Sequence, residues 1–283
     1  MEKFTLNLKG RLMTIDRPAV MGIINATPDS FYSASRVESA PEAAGHAAAM
    51  VAAGATIIDV GACSTRPGSP QPSADEEIRR LASVLPAVKA AVGDRAAVSV
   101  DTYRAEVARR AVTEYGADIV NDVSGGNLDE AMFETVAELG VPYVLCHMRG
   151  TPEDMQEYAV YDDVAATVLA ELGEKLGKLA LLGVNDVIVD PGFGFSKTRE
   201  QNYQLLAHLD LLKLLHRPVL VGMSRKSMVT GVTGTTAEEA LEATTALNVL
   251  ALDRGAAILR VHDIEAARQA AAVYQATVEA LKV

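Results

Sequence analysis

The chain has 283 residues, 49% of them hydrophobic, and its 26 basic and 37 acidic side chains leave a net charge of −11. That is ample for a sizeable core and too long for a small sandwich, whereas α/β barrels of about 250 residues commonly form one domain. The acidic balance, without any basic block or aromatic-basic interleaving, argues against nucleic acid as a partner, so an anionic ligand would have to be met by local cations.

Phe4 to Ile15 alternates around Lys9-Gly10, which predicts a β-hairpin with a glycine turn. The pattern then becomes strand, polar turn, helix, and repeats. Short, nearly all-apolar strands are expected at Val20–Ile24, Thr56–Val60, Ala97–Val100, Ile119–Val120, Tyr143–Cys146, Val187–Val189, Val219–Met223 and Ala257–Val261. Apolar runs without alternation suit parallel strands covered on both faces. Ser39…Glu42, Ser73…Glu76, Thr198…Gln201 and Thr236…Glu239 have the spacing of capping boxes, and Asp263 stands as the N-cap of a last helix. Gly54, Gly93, Gly116, Gly140, Gly183 and Gly255 precede the next strand, as helix C-caps do. Eight such units predict a single (β/α)8 barrel over residues 1–283, with residues 1–16 as an N-terminal hairpin. The rival, an open doubly wound sheet, is disfavoured by the regular repeat and by the lack of a domain-sized break. One long polar excursion, Arg149 to Asp162, follows the fifth strand.

Two cysteines, Cys63 and Cys146, are too few and too far apart for a disulfide framework or a thiolate metal site. No apolar run approaches the roughly 18 residues of a membrane span, and Met1 to Asp16 has no signal-peptide apolar region. The expectation is a cytoplasmic protein.

Glycine after each helix and polar residues after each strand would gather the polar strand ends on one face of a barrel, where active sites are built. Asp101, Asn121 and Asp190 supply carboxylates and an amide that suit a heterocycle rich in N–H donors, since a carboxylate accepts two parallel N–H bonds from a guanidine-like edge. Asn25, Arg66, Lys226, Arg260 and His262 form a second, cationic and amide group. The first, seventh and eighth strands are neighbours on closure, so Asn25, Lys226 and His262 can meet where barrels commonly bind phosphate. The Asn25 amide oxygen is also a candidate ligand for Mg²⁺ beside a diphosphate. Taken singly, most of these have a plainer reading. Asp101 would serve as a helix cap, Asn121 as a turn residue, and Lys226 with Arg225 as a solvated helix start. A cation opposes the dipole at that end, however, which points to a nearby anion. Coincidence of polar residues at eight strand ends carries more weight than any one of them.

The stretches Asn25–Phe31, Ser64-Thr-Arg-Pro-Gly68, Ser99-Val-Asp-Thr102, Asp190–Phe195, Gly222–Ser227 and Arg260-Val-His-Asp263 together resemble, in order and over essentially the whole chain, the motifs of the dihydropteroate synthase family. That resemblance implies an alkyl-group transferase of folate biosynthesis, a sulfonamide target, joining 7,8-dihydropterin-6-ylmethyl diphosphate to 4-aminobenzoate. It implies pterin contacts from Asp101, Asn121, Asp190 and Lys226, with Arg260 stacking on the pterin face. It puts Asn25 and His262 at the diphosphate and Mg²⁺ end, and Thr65, Arg66, Pro67, Phe195 and Ser224 around aminobenzoate, with Thr65 also reaching the pterin diphosphate. A homodimer through Ala237–Asp253 and Glu265–Leu281 is expected too. Catalysis would be electrostatic and positional, carried by Asn25, Arg66, Asp101, Lys226 and His262, with loops Ala26–Val37 and Gly61–Pro72 closing over the site.

The chain departs from the family at Tyr32-Ser-Ala-Ser-Arg36, where Ser-Asp-Gly-Gly is usual, and at Ala62-Cys63, where Gly-Glu or Gly-Gln is usual. Both departures bear on loop conformation and on discrimination between aminobenzoate and sulfonamides. Two alternatives are a pterin-dependent methyltransferase barrel, which would not need the Ser-Arg-Lys and Arg-Val-His cluster, and a non-catalytic pterin-binding paralogue.

Overall fold

The computed structural model describes residues 2–26, 37, 39–63 and 71–281. The chain opens with β1 (Phe4–Leu8) and β2 (Arg11–Ile15), an antiparallel hairpin in which Leu8 pairs with Arg11. Its two-residue turn has Lys9 at φ 52° and Gly10 at φ 95°. Two successive positive φ values match the twist of the strands, and the Asn7 carboxamide oxygen accepts the Gly10 N–H at 2.6 Å.

Eight parallel strands follow: β3 (Ala19–Asn25), β4 (Ile57–Gly61), β5 (Ala97–Asp101), β6 (Ile119–Asp122), β7 (Tyr143–Cys146), β8 (Val187–Asp190), β9 (Leu220–Val221) and β10 (Ile258–Val261). They pair in sequence order, β10 pairs with β3, and a parallel bridge between Val189 and Val219 closes β8 onto β9. The predicted strands and barrel are therefore present, with boundaries within a residue or two at most ends. β9 alone is markedly shorter than the expected Val219–Met223.

The hairpin has a defined place. Leu6, Leu8 and Ile15 pack with Met21, Ile57, Ala97, Ile119, Val144 and Ile188, the inward residues at the lower ends of the barrel strands. The hairpin thus plugs the N-terminal mouth, and each buried aliphatic side chain contributes roughly 1.5–3 kcal/mol. Outside the barrel a second apolar layer forms between the strands and the helices, including Ile24, Val60, Val98, Leu81, Leu85 and Val88.

Among the described residues there are nine α-helices: α1 (Ala40–Ala53), α2 (Ala74–Val92), α3 (Ala105–Thr113), α4 (Met132–Leu139), α5 (Val164–Leu181), α6 (Arg199–Ala207), α7 (Ser227–Thr233), α8 (Leu241–Asp253) and α9 (Ile264–Ala280). Ser39, Ser73 and Thr198 cap α1, α2 and α6, and the Thr198–Gln201 box is reciprocal. No helix of the described residues is long and apolar enough to cross a membrane.

Two expectations change. The seventh unit carries two helices, because Gly234 at φ 70° ends α7 and the Thr236–Glu239 box closes only a turn before α8. The carbonyls of Ala237 and Glu238, which a continuous helix would use, accept from the Arg225 guanidinium instead. Asp263 does precede α9, yet its carboxylate makes no cap bond. It pairs with Arg225 at 2.8 and 2.9 Å.

Candidate active site

Strand register puts the predicted polar ends level with one another. Asn25 pairs with Gly61, Gly61 with Asp101, and Asp101 with Asn121 across four consecutive strands. Inside this ring lies a residue the sequence reading passed over. Asp59 sits in the apolar run Ile57-Ile58-Asp59-Val60 and is fully buried. Its Oδ2 accepts from Arg260 Nε at 2.7 Å and from Asn121 Nδ2 at 2.9 Å. Arg260 Nη2 donates to Asp101 at 2.7 Å. One guanidinium so joins two carboxylates, and Asp59 in turn binds the Asn121 amide, linking β4, β5, β6 and β10. The available signal was a lone acid in an otherwise aliphatic strand, since an unpaired charge is not buried without reason.

The electrostatics follow from that crowding. Burial, with Asp59, Glu77 and Asp122 adding repulsion, drives Asp101 up to about 7 against the pull of Arg260. Burial opposes the charge on Arg260, but Asp59 and Asp101 outweigh it and raise its pKa further. Asp59 Oδ1 accepts no hydrogen bond from the described residues.

Opposite, at the end of β8, burial raises Asp190 while Lys226 opposes the rise. Asp190 Oδ1 accepts the Gly192 N–H at 2.7 Å. Lys226 Nζ donates to the Phe193 carbonyl at 2.7 Å and lies 4.3 Å from the centre of the Phe195 ring. The ammonium is thus seated between a carbonyl and an aromatic face, and burial lowers its pKa.

Beyond Lys226, the Ser224 hydroxyl lies 2.9 Å from His262 Nδ1 and accepts the His262 N–H at 3.3 Å. Ser224, expected beside aminobenzoate, and His262, expected at the diphosphate end, are therefore hydrogen-bonded to each other. Burial, then Arg260, holds His262 down at about 4, so the imidazole is neutral at pH 7. Arg225, for which a solvated helix start is the plainer reading of the sequence, is buried at 3% exposure and adopts φ 57°. Its bonds to Asp263, Ala237 and Glu238 tie the β9 loop to the start of α9, and this holds Ser224 and Lys226 in place.

Asn25 ends β3 beside β10, so Asn25, Lys226 and His262 come from the adjacent strand ends of β3, β9 and β10. Thr65, Arg66 and Pro67 lie outside the described residues, as do Tyr32–Arg36 and most of both expected closing loops. At the base of the second loop, Cys63 Sγ lies 2.7 Å from Gln71 Oε1, which also accepts from Tyr103 at 3.2 Å. Burial keeps that thiol protonated, with a pKa raised to about 11.

A closed parallel barrel whose C-terminal end joins buried carboxylates of β4, β5 and β8 to cations of β10 and of the loop after β9 defines an enzyme of the (β/α)8 class with a site for a polar small molecule. The pterin binding enzyme family matches residues 21–262. The dihydropteroate synthase of Escherichia coli K12 is 41% identical over 274 residues, covering 96% of both chains. The crystal structure of Yersinia pestis dihydropteroate synthase with a sulfonamide drug complex superposes with a TM-score of 0.90 at 37% identity, over 99% of this chain and 100% of that one. The Xanthomonas albilineans enzyme in complex with 7,8-dihydropteroate gives a TM-score of 0.80 at 36% identity, over 96% and 98%. The chain belongs to the pterin-binding enzymes and, within them, to the dihydropteroate synthases.

Proposed function

We propose that the chain condenses 7,8-dihydropterin-6-ylmethyl diphosphate with 4-aminobenzoate to give 7,8-dihydropteroate and diphosphate. The observation that carries this reading is the Asp59–Arg260–Asp101 network with Asn121, facing Asp190 and Lys226. It offers carboxylate and amide acceptors to the N–H groups of the heterocycle, with cations beside them. Asp101, Asn121 and Asp190 hold the pterin, and Lys226 and Arg260 compensate their charge. His262, neutral, donates a hydrogen bond to the diphosphate. Phe195 and Ser224, with Thr65, Arg66 and Pro67 of the second loop, surround aminobenzoate.

The C–O bond to diphosphate breaks first, and its electron pair leaves with the phosphate oxygen. The electron-rich dihydropterin carries the cation left on the methylene, favoured by the nearby carboxylates. The aromatic amine then forms the C–N bond and loses a proton to solvent. Positioning and preorganised charge supply the rate, without a nucleophile on the protein.

Among the described residues no group of three or more His, Cys, Asp and Glu forms a metal cage. Mg²⁺ takes few protein ligands and completes its shell with phosphate oxygens and water, and the Asn25 amide oxygen at the end of β3 fits that role. When bound it would neutralise charge on the leaving diphosphate. The reading also includes a homodimer, supported by the apolar groove between α8 and α9. Leu241, Val249, Ala266, Ala270 and Val273 line it, and Val273 is 65% exposed. A second copy, presenting the same face, is the occupant that a two-fold interface requires. A cytoplasmic location suits the free thiols of Cys63 and Cys146.

The decisive experiment is diphosphate release by the purified chain with each substrate alone and with both. Release that depends on both supports the condensation. Release that ignores the amine, or none, overturns it.

A further inference from the structure

Lys197, which follows the Asp190–Ser196 turn and is only 3% exposed, is a buried cation among the described residues that the reaction scheme leaves unused. Its ammonium lies 3.0 Å from His147 Nδ1, 3.1 Å from the Gly192 carbonyl and 3.0 Å from the Phe195 carbonyl, with the His147 carbonyl at 3.5 Å. Burial draws the Lys197 pKa down to about 7, against the pull of Cys146 and Asp190. In its ammonium form the group has three N–H groups and no acceptor, so three short contacts satisfy it completely. His147 Nδ1 must then accept, which leaves Nε2–H to donate to Glu171 at 2.9 Å.

The turn it holds is costly on its own. Gly192 and Gly194 have φ 71° and 84°, and Ser196, not a glycine, has φ 46°. A Cβ at Gly192 would come within 1.9 Å of the His147 carbonyl oxygen, so this backbone is pressed against the end of β7. Sparsely populated backbone states persist only where the surroundings over-determine them. Here the ammonium collects two carbonyls of the turn onto His147, the residue that follows β7. The same turn presents Asp190, whose carboxylate accepts from Gly192, and Phe193 and Phe195, which seat Lys226.

We propose that Lys197 is a positioning residue of the reaction: its buried ammonium locks the Asp190–Ser196 turn onto β7 and thereby sets Asp190, Phe195 and Lys226 in the substrate site. This rests on the assignment of Asp190 and Phe195 to that site. Lys197 touches no substrate itself. Charged neighbours from the packed elements are Asp190 and Lys226 at the strand ends and Glu171 of α5, with the Cys146 thiol beside them.

The test compares the full-length wild type with Lys197→Met, which keeps the stem and removes all donors. Lys178→Met on α5, where the side chain is 59% exposed, is the control. Displacing a site by about 1 Å can cost on the order of a hundredfold, so KM for the pterin diphosphate and for 4-aminobenzoate should both rise about tenfold or more. The control should match wild type. If Lys197→Met does not fold, Lys197→Gln, which retains one amide donor group, is read in the same way. A merely structural role would lower the melting temperature while the folded protein kept both KM values within about twofold, and that result would overturn the inference. A wild type that makes no dihydropteroate would instead remove the assigned reaction, whatever the variants do.

Discussion

Asp59 and Arg260 are 201 residues apart in the chain, yet their side chains meet at 2.7 Å inside the barrel. The pair closes β4 onto β10 across β3, and the second arm of the guanidinium reaches Asp101 on β5. Such a pair is a poor source of net stability, because desolvating both ions offsets much of their attraction. Its value lies in orientation: it holds two carboxylates and the Asn121 amide in one geometry before any ligand arrives.

Breaking the pair by removing one partner is therefore expected to be severe. Asp59→Ala leaves Arg260 and Asn121 without their shared acceptor and should lower stability by about 3–5 kcal/mol. Asp59→Asn, of the same shape, should cost less in urea unfolding but still raise KM for the pterin diphosphate. Equal midpoints for Ala, Asn and wild type would contradict the role given to this pair.

Asp190→Asn keeps the volume and removes the charge. A hydrogen bond to a charged group contributes about 1.5–3 kcal/mol. The loss in kcat/KM for the pterin diphosphate should be on the order of 10- to 150-fold, while the circular dichroism spectrum stays unchanged. A wild-type kcat/KM in the variant would exclude Asp190 from the pterin contacts.

His147 and His262 make the molecule acid-sensitive. Burial lowers both to about 4 in the folded state, from 6.5. Between those values each unfolded imidazole binds a proton that the folded one does not, so the histidine contribution to stability rises with pH across about 4 to 6.5 and is lost on acidification, while Asp101, raised to about 7 by burial, contributes with the opposite sign over that range. His147→Gln should flatten part of this dependence in denaturant titrations at pH 4.5 and 6.5. An unchanged slope would show that His147 is not the titrating group. Because His262 is already neutral, kcat/KM should show no inflection near 6.5 that His262→Gln abolishes.

The α8–α9 groove predicts a monomer on charge insertion. Val273→Glu places a carboxylate in the apolar face of the inferred interface, and two copies related by a two-fold would bring two such charges together. Sedimentation at micromolar concentration should show wild-type dimer and variant monomer. A wild type that sediments as a monomer rejects the interface.

The strand order and the polar strand ends could be read from the sequence for a simple reason. Parallel strands covered on both faces must be apolar throughout, so Asn25, Asp101, Asn121 and Asp190 stand out where the run stops. The hairpin was equally local: Lys9-Gly10 determines its own turn. Local reading failed where the deciding partner lay far along the chain. Nothing near Asp263 says that its carboxylate will leave the helix start for Arg225, 38 residues away. Nor does anything near Thr236 say that Arg225 will take the carbonyls a longer α8 would need.

By itself, then, the sequence determined the barrel, its polar end and the residue types gathered there, because periodicity and strand termination are properties of neighbouring residues. Tertiary structure alone decided how those residues act on one another. It made Asp59 the acceptor that orients Arg260, and Lys197 a buried tie to His147, 50 residues distant. The reason is physical: a buried charge is tolerated only with partners around it, and only the closed barrel brings those partners within hydrogen-bond reach.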